Sequence, residues 1–362
     1  MIAKNILTLA RSNLQAATKK LCTEEFANNI EEIIDFLQTI LPKKIATAEE
    51  INKEFASILK NKCEFLSINN ERYPKLLKQT QLAPIFLTIR GNIDFLQSQN
   101  IAFSGSRQLD AEDFAIIREI VKTLNDLDIG IISGLAHGSD IVAHIQSIKT
   151  GTIAIMPCGL QNCYPKEHKD ILEKIIDFGG TVISEFSFFE PPKQQNFIKR
   201  NATIVGMSNA VIIGRARDIK SGSMSSANFA NKFNKQIYTL LFDGICKGNE
   251  FLLENNRATE ITDLEELKYS ILANIAENEM QSDKKINKTQ SNKEKSFLFS
   301  NVGEKSIRNE VRNILLYSEN CQEIKKNEAN LMQLFNLCCE ELQPDGNDRK
   351  EILKGLLEIV MK

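Results

Sequence analysis

Between Ile101 and Leu241 the chain repeats a pattern that few folds can accommodate: short apolar runs alternating with amphipathic stretches. The runs are "IAFSG", "IGIISG", "TIAIMP", "TVISEF", "AVIIG" and "QIYTLL". Between them lie "DAEDFAIIREIVKTLNDL", "SDIVAHIQSIK", "KEHKDILEKIIDF", "RNATIVGMS" and "SMSSANFANKFN". Strand–helix alternation at this spacing predicts parallel strands joined by right-handed crossovers, hence an α/β, doubly wound, mostly parallel sheet. Several runs are apolar almost throughout, as strands covered on both faces are.

The flanks read differently. The 362 residues exceed one ordinary domain of about 100–200 residues. Residues 1–72 carry helical periodicity, as in "FANNIEEIIDFLQTIL", and Thr47 stands where it can cap "AEEINKEFASIL". The expected partition is a helical N-terminal region over 1–72, the sheet domain over 73–248, a helical extension over 249–282, a polar linker over 283–296 and a small helical domain over 297–362. Within the sheet domain, "IFLTI", between Pro84 and Gly91-Asn92, predicts one more strand. The N-terminus reads as an amphipathic helix rather than a signal peptide, and no apolar run is long enough to span a membrane. The eight cysteines form no C-x-x-C pair, so reduced cytoplasmic thiols are expected rather than a disulfide framework or a zinc site. With 45 Lys and Arg against 47 Asp and Glu the chain is not a wholly basic nucleic-acid binder, although a local basic groove is compatible with that balance.

In a doubly wound sheet, ligands sit at the carboxyl ends of the strands. The loops expected there are Ser104-Gly105-Ser106-Arg107, "SGLAHGSD" from Ser133 to Asp140, "PCGLQNCYPKEH" from Pro157 to His168, "EFSFFEPPKQQNFIKRN" ending at Asn201, and "GRARDIKSGSMSSA" from Gly214 to Ala227. Small residues and hydroxyls recur where helices should begin, and helix N-termini offer free N–H groups to an anion. Arg107, His137, Lys199, Arg200, Arg215, Arg217 and Lys220 fall on the same edge. The set describes a phosphate-binding surface. Its candidate members are Gly105, Ser106, Arg107, Ser133, Gly134, His137, Gly138, Arg200, Asn201, Lys220, Ser221, Gly222 and Ser223. Taken singly, several have plainer readings: Gly105 as a tight turn, Ser221 and Ser225 as caps, His144 as a packed or capping histidine. No G-x-G-x-x-G follows the first strand, and neither G-x-x-x-x-G-K-[ST] nor G-x-S-x-G occurs, which disfavours a dehydrogenase, an ATPase or a serine hydrolase. No catalytic residue, cofactor or metal is expected.

The ordered run "YPKLLKQTQLAPIFLTIRGN…IAFSGSR…IISGLAHGSDIVAH…GTIAIMPCGLQNCYPKEH…GGTVISEF…FIKRN…VGMSNAVIIGRA…KSGSMSSANFA", from about Tyr73 to Leu241, resembles the DNA-processing protein A family, also called Smf. The resemblance implies an extended Rossmann-like domain that binds single-stranded DNA, protects incoming strands in natural transformation and helps load the recombinase RecA, displacing single-strand binding protein. It implies a homodimer and no enzymatic activity. By position, Arg107 matches the arginine that holds a phosphate in the family, Lys220 a basic position of the same pocket, and Arg200-Asn201 the family's R-N pair. This chain departs from the family pattern with Ala202 after that pair, Ile198 before it, Gly214 where an acid is frequent and His137 in place of an arginine. Two other readings stay open. One is a nucleotide-binding or nucleotide-hydrolysing relative of the phosphoribohydrolases, whose P-G-G-x-G-T-x-x-E run is not matched here. The other is a purely protein-binding role.

Overall fold

The computed structural model describes residues 2–11, 33–34 and 46–289, with positions 335–336, 352 and 356. Contacts divide the chain into two compact units, Met1–Asn52 with Lys285–Lys362, and Lys53–Lys284. In the first, the N-terminal amphipathic stretch forms helix α1 (Ile2–Arg11), which buries Ile6 and Leu7. Helix α2 (Ala48–Lys60) starts at the expected cap. The Glu50 N–H donates to Thr47 Oγ1 at 3.3 Å and the Thr47 N–H donates to Glu50 Oε2 at 2.9 Å, a reciprocal capping box. The backbone bond from Thr47, then its hydroxyl, hold the Glu50 carboxyl below its usual range. Most of "FANNIEEIIDFLQTIL", and nearly all of the expected C-terminal domain at 297–362, lie outside the described residues.

In the second unit nine strands form one sheet: β1 (Glu64–Ser67), β2 (Phe86–Gly91), β3 (Asn100–Ser104), β4 (Gly130–Ser133), β5 (Thr152–Ile155), β6 (Thr181–Ser184), β7 (Ala210–Ile213), β8 (Gln236–Thr239) and β9 (Thr259–Glu260). Their order is β1-β2-β6-β5-β4-β3-β7-β8-β9. From β6 through β9 every neighbouring pair is parallel, while β2 is antiparallel to both β1 and β6. The expected mostly parallel, doubly wound sheet is therefore the one found. The chain steps outward from β3 to β6, then returns to the far side of β3 for β7, so the winding reverses between β3 and β7. That reversal opens a crevice at their carboxyl ends.

The strands are buried on both faces, as their apolar runs require. Ala102, Ile132, Val211 and Ile237 face one way, against Ile204 and Val205 of helix α7 (Gln194–Met207) and Met224 and Ala227 of helix α8 (Gly222–Lys232). Ile101, Phe103, Ile131 and Ile212 face the other way, against Ile117, Ile120 and Val121 of helix α4 (Ala111–Asn125), Val142 and Ala143 of helix α5 (Ser139–Ser147), and Leu267 and Ile271 of helix α10 (Leu264–Thr289). In chain order the helices are α3 (Lys75–Lys78), α4 (Ala111–Asn125), α5 (Ser139–Ser147), α6 (Lys169–Asp177), α7 (Gln194–Met207), α8 (Gly222–Lys232), α9 (Lys247–Glu254) and α10 (Leu264–Thr289). Each fully buried Ile or Val in these layers contributes roughly 1.5–3 kcal/mol of transfer free energy. No helix of the described residues is long and apolar enough to cross a membrane.

Four features differ from the sequence reading. β1 lies inside 1–72, read as helical, and pairs Phe65 with Thr88 of β2. β9 lies inside 249–282, also read as helical, and pairs with β8. Both are short strands at the two edges, where only partial burial is needed and no apolar run is required. Helix α7 begins at Gln194, so "QQNFIKRN" is helical rather than loop. Its buried positions Asn196, Arg200, Thr203, Ile204 and Met207 follow helical spacing, but the first three are polar or charged and mask the period. Helix α10 continues to Thr289, so positions 283–289 of the expected linker are helical. The lysines there are good helix formers that let an existing helix propagate.

Candidate functional site

A concave cavity of about 450 Å³ opens where the winding of the sheet reverses. Its walls come from the loop after β3 (Ser104, Gly105, Ser106, Arg107), the loop after β7 (Arg215, Arg217), the start of α8 (Ser221, Gly222, Ser223, Ser225) and one face of α7 (Phe197, Ile198, Arg200, Asn201). Ala136 and Asp140 contribute from the β4–α5 connection. Of the thirteen candidate residues, the structure brings together Gly105, Ser106, Arg107, Arg200, Asn201, Ser221, Gly222 and Ser223 around this cavity.

The other five stand outside the lining, each for a physical reason. Ser133 is buried and its hydroxyl donates to the Phe103 carbonyl at 2.6 Å, tying β4 to β3. Gly134 supplies a flat bed: a Cβ there would coincide with Nη1 of Arg200. Gly138 has φ +77° and presses against the Ser106 carbonyl and the Arg107 backbone, an approach only glycine permits. It shapes the β3 loop from behind. His137 is exposed, and its ring meets the His168 ring edge-on at 4.6 Å instead of facing the cavity. Lys220 is exposed beside the cavity, and its N–H donates to Asp218 Oδ1 at 2.7 Å in the turn that leads into α8.

Arg200 forms the floor. It is 4% exposed and projects from α7 over Gly134. Its Nη1 lies 3.4 Å from the Ile155 carbonyl and 3.9 Å from Asp140 Oδ2, and its buried Nε has no acceptor. Burial pushes the Arg200 pKa down, Asp140 opposes the fall and the charge of nearby Arg107 adds to it. Asp140 Oδ2 accepts from the N–H groups of Gly134 at 3.1 Å and Ala136 at 3.3 Å, so this carboxylate organises the loop after β4. Burial raises its pKa, while Arg200 and those N–H groups pull the other way. Arg217 donates through Nη2 to the Gln108 carbonyl at 3.3 Å, and its buried Nε also lacks an acceptor. An unsatisfied buried donor costs on the order of 1–3 kcal/mol.

Arg215 behaves differently from the phosphate-edge cation the sequence suggests. Its Nε bonds Asp113 Oδ1 at 2.7 Å, its Nη2 contacts Glu112 at 2.9 Å and Asp110 at 3.2 Å, and its Nη1 donates to the Asp243 carbonyl at 2.6 Å. Its guanidinium also lies 4.7 Å from the centre of the Phe242 ring. Asp110 and Asp113 meanwhile close a capping box at the start of α4. Arg215 is a bolt between α4 and the loop after β7.

The two helix N-termini at the site are also used differently. At α5, the N–H and the hydroxyl of Ser139 donate to the Ser106 carbonyl at 3.0 and 3.1 Å. At α8, Ser221 caps by backbone geometry alone, its hydroxyl paired with that of Ser223 at 2.9 Å. The first N–H groups of a helix have no intrahelical acceptor, and those of Gly222 and Ser223 belong to residues lining the cavity. Asn201 ties α7 to this corner through the Gly222 carbonyl at 3.4 Å.

Of the phenylalanines, Phe188 is buried, whereas Phe197 lines the cavity and meets the Tyr164 ring edge-on at 5.2 Å. His144 is fully buried: its Nε2 accepts from the Leu135 N–H at 3.3 Å, and its Nδ1 lies 2.7 Å from Thr152 Oγ1. Burial above all, with the charges of Arg200 and His168, lowers its pKa to about 3. Glu185 accepts from the Thr203 hydroxyl at 2.6 Å. Cys63, Cys158, Cys163 and Cys246 are unpaired thiols. Asp140, Arg217 and Phe197 line the cavity without being among the thirteen candidates, although the sequence does place Arg217 with the cations of this edge.

A doubly wound sheet with a guanidinium-floored cavity at its switch point defines an α/β protein with a cationic crevice at the carboxyl ends of its strands. The chain belongs to the family described as DNA recombination-mediator protein A, whose model matches residues 64–271. It is 30% identical over 209 residues to the DNA processing protein DprA of Streptococcus pneumoniae, covering 56% of this chain and 71% of that protein. It is 29% identical over 217 residues to the protein Smf of Borreliella burgdorferi, covering 59% of this chain and 68% of the relative. Among solved structures it resembles DNA processing protein A from Helicobacter pylori, a protein described for its mode of binding single-stranded DNA. There the TM-score is 0.54 and the identity 28%, over 58% of this chain and 96% of the other.

Proposed function

We propose that this chain binds single-stranded DNA through its phosphates at the β3–β7 crevice and acts in DNA processing. The carrying observation is Arg200: a nearly buried guanidinium at the floor of the cavity whose Nε lacks an acceptor. Arg107 at the rim, Arg217 on the facing loop and the start of α8 supply further donors to the same space. The single-stranded DNA binding described for the Helicobacter pylori relative supports the same reading. Among the cavity-lining residues the one carboxylate is Asp140, and its engagement by two N–H groups and Arg200 favours a binding role over hydrolysis.

On this reading the chain works in the cytoplasm as a homodimer, protects incoming strands and helps load RecA in place of single-strand binding protein. Titration of the full chain with fluorescent single- and double-stranded oligonucleotides at two salt concentrations tests the binding. Preference for the single strand, weakening steeply with salt, is expected; equal or undetectable affinity for both would refute it. Release of free base from nucleoside monophosphates would instead favour the phosphoribohydrolase alternative.

A further inference from the structure

Resting on that reading, we propose that the cavity seats the end of a nucleic-acid strand, taking a terminal phosphate monoester in preference to an internal diester. The cavity, about 450 Å³ with Arg200 and Asp140 buried at its floor, has the dimensions of a seat for one nucleotide rather than of a track for several. An internal phosphate must enter and leave such a concavity with chain on both sides. A terminal one enters with chain on one side only.

The donors agree. Two guanidiniums lining the cavity, Arg200 and Arg217, each hold a buried Nε without an acceptor, and Arg107 stands exposed at the rim. Gly222 and Ser223 begin α8 on the same wall. These donors come from separate elements and surround one space, which suits the three non-bridging oxygens of a monoester better than the two of a diester. The charge agrees as well. Asp140 answers Arg200, and Arg215 is answered by its own carboxylates, which leaves Arg107 and Arg217. A phosphate monoester carries about −1.5 to −2 at neutral pH, against −1 for a diester.

The test uses the full chain and five single strands of one sequence: a 5′-phosphate, a 3′-phosphate, unphosphorylated ends, an unphosphorylated strand one nucleotide longer, and a closed circle. A terminal phosphate is expected to tighten binding about tenfold over the unphosphorylated and the longer strand, by a charge-assisted bond that an internal phosphate does not make. The circle should bind like the unphosphorylated strand. The end that gives the gain identifies the source of the monoester, and a nucleoside 5′-monophosphate should compete where the nucleoside does not. Arg217→Gln and, separately, Ser223→Ala should each shrink the gain given by the terminal phosphate below about threefold, whatever either costs the affinity for the circle. Equal affinity for all five strands would overturn the proposal and leave single-strand binding intact. Binding of none would overturn both.

Discussion

Arg200 and Arg215 line one cavity, both nearly buried, and they are built for different tasks. Arg215 meets three carboxylates and a carbonyl, and these use its nitrogens. Arg200 has one carboxylate at 3.9 Å, a long contact to a carbonyl and an Nε with nothing to bond. Their acidities diverge accordingly. Burial pushes both pKa values down, but around Arg215 the Asp113 hydrogen bond and the three negative charges outweigh it and the net shift is upward. Around Arg200 burial prevails and the net shift is downward. A buried arginine whose valences are filled fastens a fold. One left short of acceptors is stable only where the fold holds it rigidly, and it gains from an incoming anion.

The contrast can be broken from either side. The largest effect should come from Arg215→Met, which strands the buried Asp113 carboxylate. A loss of about 3–5 kcal/mol in urea unfolding is expected, with strand affinity little changed in the protein that remains folded. Arg200→Met should do the reverse, with a smaller shift in the unfolding midpoint and strand affinity reduced roughly 10- to 100-fold. Gly134→Ala sharpens the point because it keeps every charge. The new methyl needs the space of the Arg200 guanidinium, so fluorescence anisotropy should show affinity reduced about tenfold with Arg200 still present. Arg107→Ala, at the exposed rim, should have the smallest effect, a loss of about three- to fivefold and a shallower dependence on salt by roughly 0.7 in log–log slope. If Arg200→Met proved as destabilising as Arg215→Met and left binding untouched, the distinction between the two arginines would fail.

Much of this was legible in the residues. The apolar runs named seven of the nine strands because strands buried on both faces announce themselves without reference to partners. β1 and β9 did not, since an edge strand such as Thr259–Glu260 is held by its neighbour's backbone and both its residues are exposed. The site was legible as an edge of the sheet, through Gly105, Arg107 and the serines before α8. What stayed hidden was compensation. Nothing local to Arg215 signals its partners at Asp110, Glu112 and Asp113, about a hundred residues earlier in the chain. Nor does anything local to Ser133 show that its hydroxyl is consumed by Phe103. Residue type tells which side chains can hold an anion; only the fold tells which are still free to do so.

The antiparallel pair at the β1 edge carries a practical lesson for fragment design. Upstream of it, Glu54 in α2 is buried and accepts from the Ser187 hydroxyl at 2.9 Å and the Phe188 N–H at 2.6 Å, in the turn that leaves β6. That turn in turn meets Gly159, whose N–H donates to the Glu190 carbonyl at 2.8 Å. A truncated protein begun at Tyr73, where the strand pattern first becomes readable, would delete both β1 and this carboxylate. It would leave two donors dangling at the end of a central strand. The smallest self-sufficient piece must therefore reach back past Glu54 into a helix whose own sequence gives no sign of belonging to the sheet.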